Sequence, residues 1–203
     1  CDENGIVLWT EIPLVNALGE SAEFVENTKR QLVELMRQQY NRPSVIFWGL
    51  QNEIGNGANS ASSFMNAKQL VYELDELAHG EDSSGRYTTQ AINRDYAMNQ
   101  KGTADYADFT NNIGWKSDIA AWNIYPGWYP DKNFDGNFEQ LMDRKASFDN
   151  RPMGISEYGW GANVNQHELY PELEKNGLLA WGQWHPEEYQ SIMHEQALKY
   201  INT

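Results

Sequence analysis

The 203-residue sequence has a single cysteine, Cys1, so neither a disulfide framework nor a thiolate metal cluster can be built from it. Basic residues are scarce: 15 Lys and Arg stand against 29 Asp and Glu, for a formal net charge of −14. This argues against nucleic acid as a partner, because phosphate contacts need clustered Lys and Arg. An acidic surface is ordinary for a protein that handles neutral ligands. No apolar run approaches the ~18 residues of a membrane-spanning helix, so no membrane role is expected, and no signal-peptide pattern is visible in these residues; a secreted parent would have had that address cut off. Glycine-rich phosphate loops of the dinucleotide or P-loop kind are also lacking. His79, His167, His185 and His194 do not fall at strand ends, and with paired acids as the only other ligands no metal site or cofactor is expected. The chain opens on Cys1-Asp2-Glu3-Asn4-Gly5 rather than Met and runs straight into an apolar stretch, as a piece of a longer protein would.

Aromatic residues are plentiful, with eight Trp and eleven Tyr. Several follow strand-like runs beside Gly and Asn, where amphipathic rings suit stacking on sugar faces; core packing accounts for most of the others. Ile6 to Pro13 is a short apolar run closed by proline, a buried strand with Glu11 at its carboxyl end. Ser21 caps a helix whose stripe of Phe24, Thr28, Leu32, Leu35 and Met36 runs to about Tyr40, where Arg42-Pro43 stops it. Val45 to Leu50 is the next strand. A second helix, from Ser60 to His79, places Phe64, Ala67, Leu70, Val71, Leu74 and Leu77 on one side, and Gly80 ends it. Further strands are expected at Tyr87 to Ile92, Ile119 to Tyr125 and Pro152 to Ser156. Helical segments fall at Ala104 to Asn111, Phe138 to Phe148 and Pro186 to Ile201, and Pro126 to Pro130 forms an aromatic loop.

Strict alternation of strands and helices implies a parallel sheet, because parallel strands need crossover connections. Five strands could form a doubly wound sheet or part of a (β/α)8 barrel, which needs eight strands and about 250 residues. The acids favour the barrel: Glu11, Glu53 and Glu157 lie at strand carboxyl ends, with Asn123 and Tyr125 at a fourth, and a barrel turns such positions toward one mouth. Glu53 follows six mostly apolar residues, at the rim of a core, with the Asn52 amide beside it to meet a hydroxyl. An acid in an ordinary surface loop is about as compatible with that spacing. Glu157 crowns a strand and precedes Tyr158-Gly159-Trp160-Gly161, where glycines let a ligand approach the backbone. Two carboxylates across one pocket are the minimum equipment for glycosidic hydrolysis, one protonating the leaving oxygen and the other attacking or activating water.

The runs Cys1 to Pro13, Asn41 to Glu53, Trp122 to Tyr129 and Arg151 to Gly159 resemble, in order, the motifs of the catalytic barrel of glycoside hydrolase family 2. That family includes β-galactosidases, β-glucuronidases and β-mannosidases. The resemblance implies an α/β fold, a (β/α)8 TIM barrel in which strands three to seven are present and strands one, two and eight are missing. Residues 1–203 would then be a fragment of a single barrel domain, inactive alone. It implies a retaining mechanism with Glu53 as acid/base and Glu157 as nucleophile. It further implies Tyr125 as the tyrosine that hydrogen-bonds the nucleophile and Asn52 as the contact to the sugar 2-hydroxyl; Asn123 and Glu11, by their places at strand carboxyl ends, are further candidate substrate contacts. Where magnesium-using members place a Glu and a His after the strand-three acid, this chain has Ile12 to Ala17, so no metal site carries over.

Among family activities the tail from Trp160 to Glu168 and from Trp184 to Tyr189 looks most like bacterial β-galactosidases. A β-galactoside substrate is therefore expected, with β-mannosidase or β-glucuronidase the alternatives. Trp128, Trp160 and Trp181 are candidates for lining the sugar's exit side, with packing the competing role for each. A non-catalytic carbohydrate-binding or assembly module is the reading from another class. Open sheet edges predict self-association by edge pairing or strand exchange. For a bacterial parent a periplasmic or extracellular setting is favoured, with the cytoplasm as the alternative.

Overall fold

The computed structural model describes residues 1–16, 18–19, 21–54, 61–93, 116–125, 128, 151–170 and 183–201. The helices expected over 104–111 and 138–148, and Trp181, lie outside the described residues. The chain divides into two compact units, Cys1–Asn123 with Arg151–Ser156, and Ile124–Asn150 with Glu157–Thr203.

The first unit is built on β1 (Leu8–Glu11), β2 (Val45–Asn52), β3 (Tyr87–Asn93), β4 (Ile119–Asn123) and β5 (Met153–Glu157, whose last residue falls in the second unit), neighbours in that spatial order. Pairing is parallel, with Leu8 opposite Val45, Phe47 opposite Tyr87 and Thr89 opposite Ile119. Helices α1 (Ala22–Gln39) and α2 (Ala61–Glu81) make the first two crossovers. Sequential parallel strands, the first three joined by helical crossovers, are the incomplete TIM barrel expected from the strand-end acids and the family resemblance. Strand positions agree to within a residue or two, with one shortening at the front. Ile6 and Val7 are 52% and 59% exposed and precede β1, because a 3-10 turn at Asp2–Asn4 and Gly5 in the left-handed region (φ 65°) hold the chain off the sheet until Leu8.

The helices form for the expected reasons. Ser21 accepts the Phe24 amide at 3.1 Å as N-cap of α1, and Thr28, Leu32 and Met36 turn inward. On α2, Ala67, Leu70, Val71, Leu74 and Ala78 are buried. Gly80 does not end this helix. The helical bonding continues, with the Asp82 amide reaching the Ala78 carbonyl at 3.0 Å, and the left-handed turn into β3 falls instead at Gly85 (φ 79°). Between sheet and helices Trp48 is fully buried, its indole N–H donating to Asp82 at 2.7 Å under the Arg86 guanidinium. Burial works against the Asp82 carboxylate, but hydrogen bonds from Ser84 and Trp48 and the Arg86 charge outweigh it and lower its pKa.

On the opposite face of β2, Gly49 lies against β1. A Cβ there would sit 2.2 Å from Trp9 Nε1 and 2.6 Å from Glu11 Cβ, so only glycine lets those side chains cross the sheet.

The second unit contains α3 (Glu187–Ile201), which buries Tyr189, Met193 and Ala197 at four-residue spacing. The segment after β5 is tied to the start of α3: Asn163 N reaches His185 O at 2.8 Å, Glu168 N reaches Glu188 Oε2 at 3.1 Å, and Gln190 Nε2 reaches Trp160 O at 2.5 Å. No helix among the described residues is long and apolar enough to cross a membrane.

Candidate active site

In a parallel sheet every strand delivers its carboxyl end to the same side of the sheet. Asn52 closes β2, and Glu53 follows in a backbone conformation that L residues avoid, φ 51°. Its neighbours hold it there. The segment after β1 lies alongside Asn52, whose amide donates to Leu14 O at 2.8 Å and whose carbonyl accepts from Asn16 N at 3.1 Å. Glu53 N donates to Ala91 O of β3 at 2.8 Å. The turn is thus bracketed by two strands' worth of backbone, which is what lets a carboxylate side chain occupy a conformation usually left to glycine.

Asn123, the last residue of β4 and 4% exposed, joins this group. Its Nδ2 donates to Glu53 Oε1 at 2.8 Å and to Asn52 Oδ1 at 3.0 Å, and its Oδ1 accepts from Ser156 Oγ at 2.6 Å. A single buried amide therefore uses both its ends to fix the acid, the adjacent asparagine and the end of β5. Glu11 ends β1 opposite Gly49. Of the residues expected at the site, Asn52, Glu53 and Asn123 are in direct contact. Ser156 was not foreseen, although a hydroxyl one residue before a strand-end glutamate is a visible signal for a group that steadies the rim.

The other expected pair meets in the second unit. Glu157 is the last residue of β5, and the Tyr125 hydroxyl, two residues beyond β4, donates to its Oε2. The backbone is fixed in parallel, with Ile124 N donating to Glu157 O at 2.8 Å. The phenol holds one carboxylate oxygen of Glu157, which fixes the orientation of the side chain at the strand's end.

The tryptophans divide. Trp128 is half-buried and packs on His185 with ring centroids 5.0 Å apart, and a Cβ on Gly161 would come within 2.9 Å of its ring edge. Trp160 is 4% exposed, its ring edge-on to Tyr158 and His194 at 6.0 and 5.4 Å. Trp160 is thus packed against Tyr158 and His194. Nearby, His167 and Glu188 pair at 2.8 Å; the hydrogen bond raises the histidine pKa and lowers that of the glutamate. Among the described residues no group of three or more His, Cys, Asp or Glu could hold a metal ion.

Comparison with known proteins matches residues 1–196 to the domain described as glycosyl hydrolases family 2, TIM barrel domain. A β-glucuronidase of Bacteroides fragilis is 36% identical over 208 residues, covering 98% of this chain and 26% of that protein. A β-galactosidase of Thermoanaerobacterium thermosulfurigenes is 29% identical over 75 residues, 37% of this chain and 10% of that protein. Among solved structures, Bacteroides uniformis β-glucuronidase 2 covalently bound to cyclophellitol-6-carboxylate aziridine superposes with a TM-score of 0.77 at 27% identity, covering all of this chain and 23% of that one. The chain spans about a quarter of the length of the curated relatives it matches.

Proposed function

The chain belongs to glycosyl hydrolase family 2, within its TIM barrel domain, and from that premise we propose that the protein is a retaining β-glycosidase in which Glu157 is the nucleophile and Glu53 the acid/base. The observation that carries the reading is the pairing of each glutamate with its own donor at a strand's carboxyl end, Asn123 for Glu53 and Tyr125 for Glu157. In the first step Glu157 attacks the anomeric carbon while Glu53 gives its proton to the departing glycosidic oxygen. In the second, Glu53 takes a proton from water, which displaces Glu157 from the same carbon and releases the sugar with its configuration retained.

The donors divide the labour. Tyr125 holds one oxygen of the nucleophile and so orients it. Asn123 holds Glu53 through Oε1 and so fixes the orientation from which its carboxyl exchanges a proton. By engaging Asn52 Oδ1, Asn123 also turns that side chain so that its NH2 is the end presented to a sugar hydroxyl. Glu11 and Trp128 complete the proposed contacts.

For the sugar we favour a β-glucuronide over the β-galactoside expected from the tail. Similarity over 98% of the chain to a protein named β-glucuronidase supports it, as does the likeness to a β-glucuronidase holding a 6-carboxylate inhibitor. The galactoside is the second reading, supported by the 75-residue similarity to a β-galactosidase. The test is to assay the full-length protein on p-nitrophenyl β-glucuronide, β-galactoside and β-mannoside, with Glu157→Gln as control. Glucuronide turnover lost in the variant is expected. Preference for galactoside would reverse the sugar assignment, and undiminished turnover by Glu157→Gln would remove the mechanism.

A further inference from the structure

Beneath the turn that carries Glu53 lies a chain of buried amides. Gln51 and Gln90 are each 1% exposed and Ser117 3% exposed. Gln51 Oε1 accepts the Ile54 amide at 2.9 Å, so its side chain closes a ring around Asn52 and Glu53. Its Nε2 donates to Gln90 Oε1 at 3.2 Å, Gln90 Nε2 donates to Ser117 Oγ at 3.1 Å, and Ser117 Oγ donates to the Ile119 carbonyl at 2.7 Å. The chain therefore runs from the Glu53 turn across β3 to the start of β4.

Burying two carboxamides is costly unless their polar atoms are paired, and an apolar side chain of equal volume would fill the same space without that risk. Packing alone therefore does not explain a glutamine at position 51. Among the described residues its hydrogen bond outside the relay is to the amide immediately after Glu53, at the exit of a left-handed residue that hydrogen bonds must hold in place.

We propose that Gln51 is a positioning residue for the acid/base, with Gln90 and Ser117 bracing it, so that the buried relay sets the aim of the Glu53 carboxyl. This rests on the assignment of Glu53 to proton transfer. The relay acts on Glu53 only through backbone geometry, so its loss must weaken the proton-dependent step and spare a reaction that needs no proton.

The test compares Gln51→Met, which keeps the side-chain volume and removes both hydrogen bonds, with Glu53→Gln in the full-length protein. Each is assayed on the methyl and dinitrophenyl β-glycosides of the sugar the wild type prefers. Methyl glycosides need a general acid for departure, whereas dinitrophenolate leaves without one. For Gln51→Met, kcat/KM on the methyl glycoside should fall about ten- to a hundred-fold, part of the span general acid catalysis supplies, with a change below about threefold on the dinitrophenyl glycoside. Ser117→Ala, a milder change at the far end, should show the same split at smaller size and serves if Gln51→Met does not fold. Equal losses on both substrates, or none, overturn the proposal when Glu53→Gln shows the split. If Glu53→Gln shows no split, the acid/base assignment is the part that has failed, and the role of Gln51 falls with it.

Discussion

Asn123 Nδ2 lies 2.8 Å from Glu53 Oε1, so the last residue of β4 holds the carboxylate that follows β2 across the intervening strand. A hydrogen bond to a charged group is worth about 1.5–3 kcal/mol. Asn123→Ala should therefore lower kcat/KM by about ten- to a hundred-fold, with the loss concentrated on substrates with poor leaving groups. A steady-state comparison of alkyl and activated aryl glycosides checks this, and wild-type rates on both would contradict it.

Tyr125→Phe removes the hydroxyl donor to Glu157 and keeps the ring. Nucleophilic attack should slow by about one to two orders of magnitude on activated and unactivated substrates alike. The leaving-group pattern separates this variant from Asn123→Ala. Burst kinetics with a dinitrophenyl glycoside would measure the attack step directly, and an unchanged burst rate would sink the expectation.

Gly49→Ala places a methyl group where Trp9 and Glu11 already sit, at 2.2 and 2.6 Å. Overpacking of this kind costs about 1–3 kcal/mol, which for a chain of this size lowers the melting temperature by roughly 2–12 °C. Differential scanning calorimetry decides, and an unchanged transition would mean that Trp9 can move aside freely.

At the other end of the sheet, His79 Nε2 meets Asp118 Oδ2 at 3.1 Å and its Nδ1 meets the Asp75 carbonyl at 2.8 Å. Partial burial works against the imidazolium, but the Asp75 carbonyl and the carboxylates of Asp75 and Asp118 outweigh it, and the pKa is raised. A folded pKa above the unfolded one means that the folded state binds the proton more tightly. Its stability contribution is complete below about pH 6.5, the unfolded value, and is lost as the pH rises through the folded one. With the ring 45% exposed the contribution stays below about 1 kcal/mol. Melting curves of wild type and His79→Gln should differ most in mild acid and converge in alkali. A gap that widens with pH would refute the linkage.

The positions of Glu53 and Glu157 at strand ends were legible because a short apolar run bounded by turn residues marks a strand locally, wherever the strand pairs. Gly80 misled for a related reason. Glycine after a helical stripe signals a C-cap, yet continued helical bonding to Asp82 carried α2 past it and the left-handed turn fell at Gly85. The relay was not legible at all. Gln51 and Gln90 are 39 residues apart and meet only through the register of β2 and β3, which no local pattern records. Trp160 stood in a motif suited to either role, and its burial beside Tyr158 and His194 comes from the packing of the second unit.

The amides of Asn52, Glu53 and Ile54 are donated in succession to Leu14 O, Ala91 O and Gln51 Oε1. Their hydrogens can exchange with solvent only when β1's following segment, β3 or the Gln51 side chain lets go. Slow amide exchange at these three positions, as in the core of a sheet, is the expected outcome. The conformational entropy of holding Glu53 in its left-handed bend is therefore lost as the sheet folds.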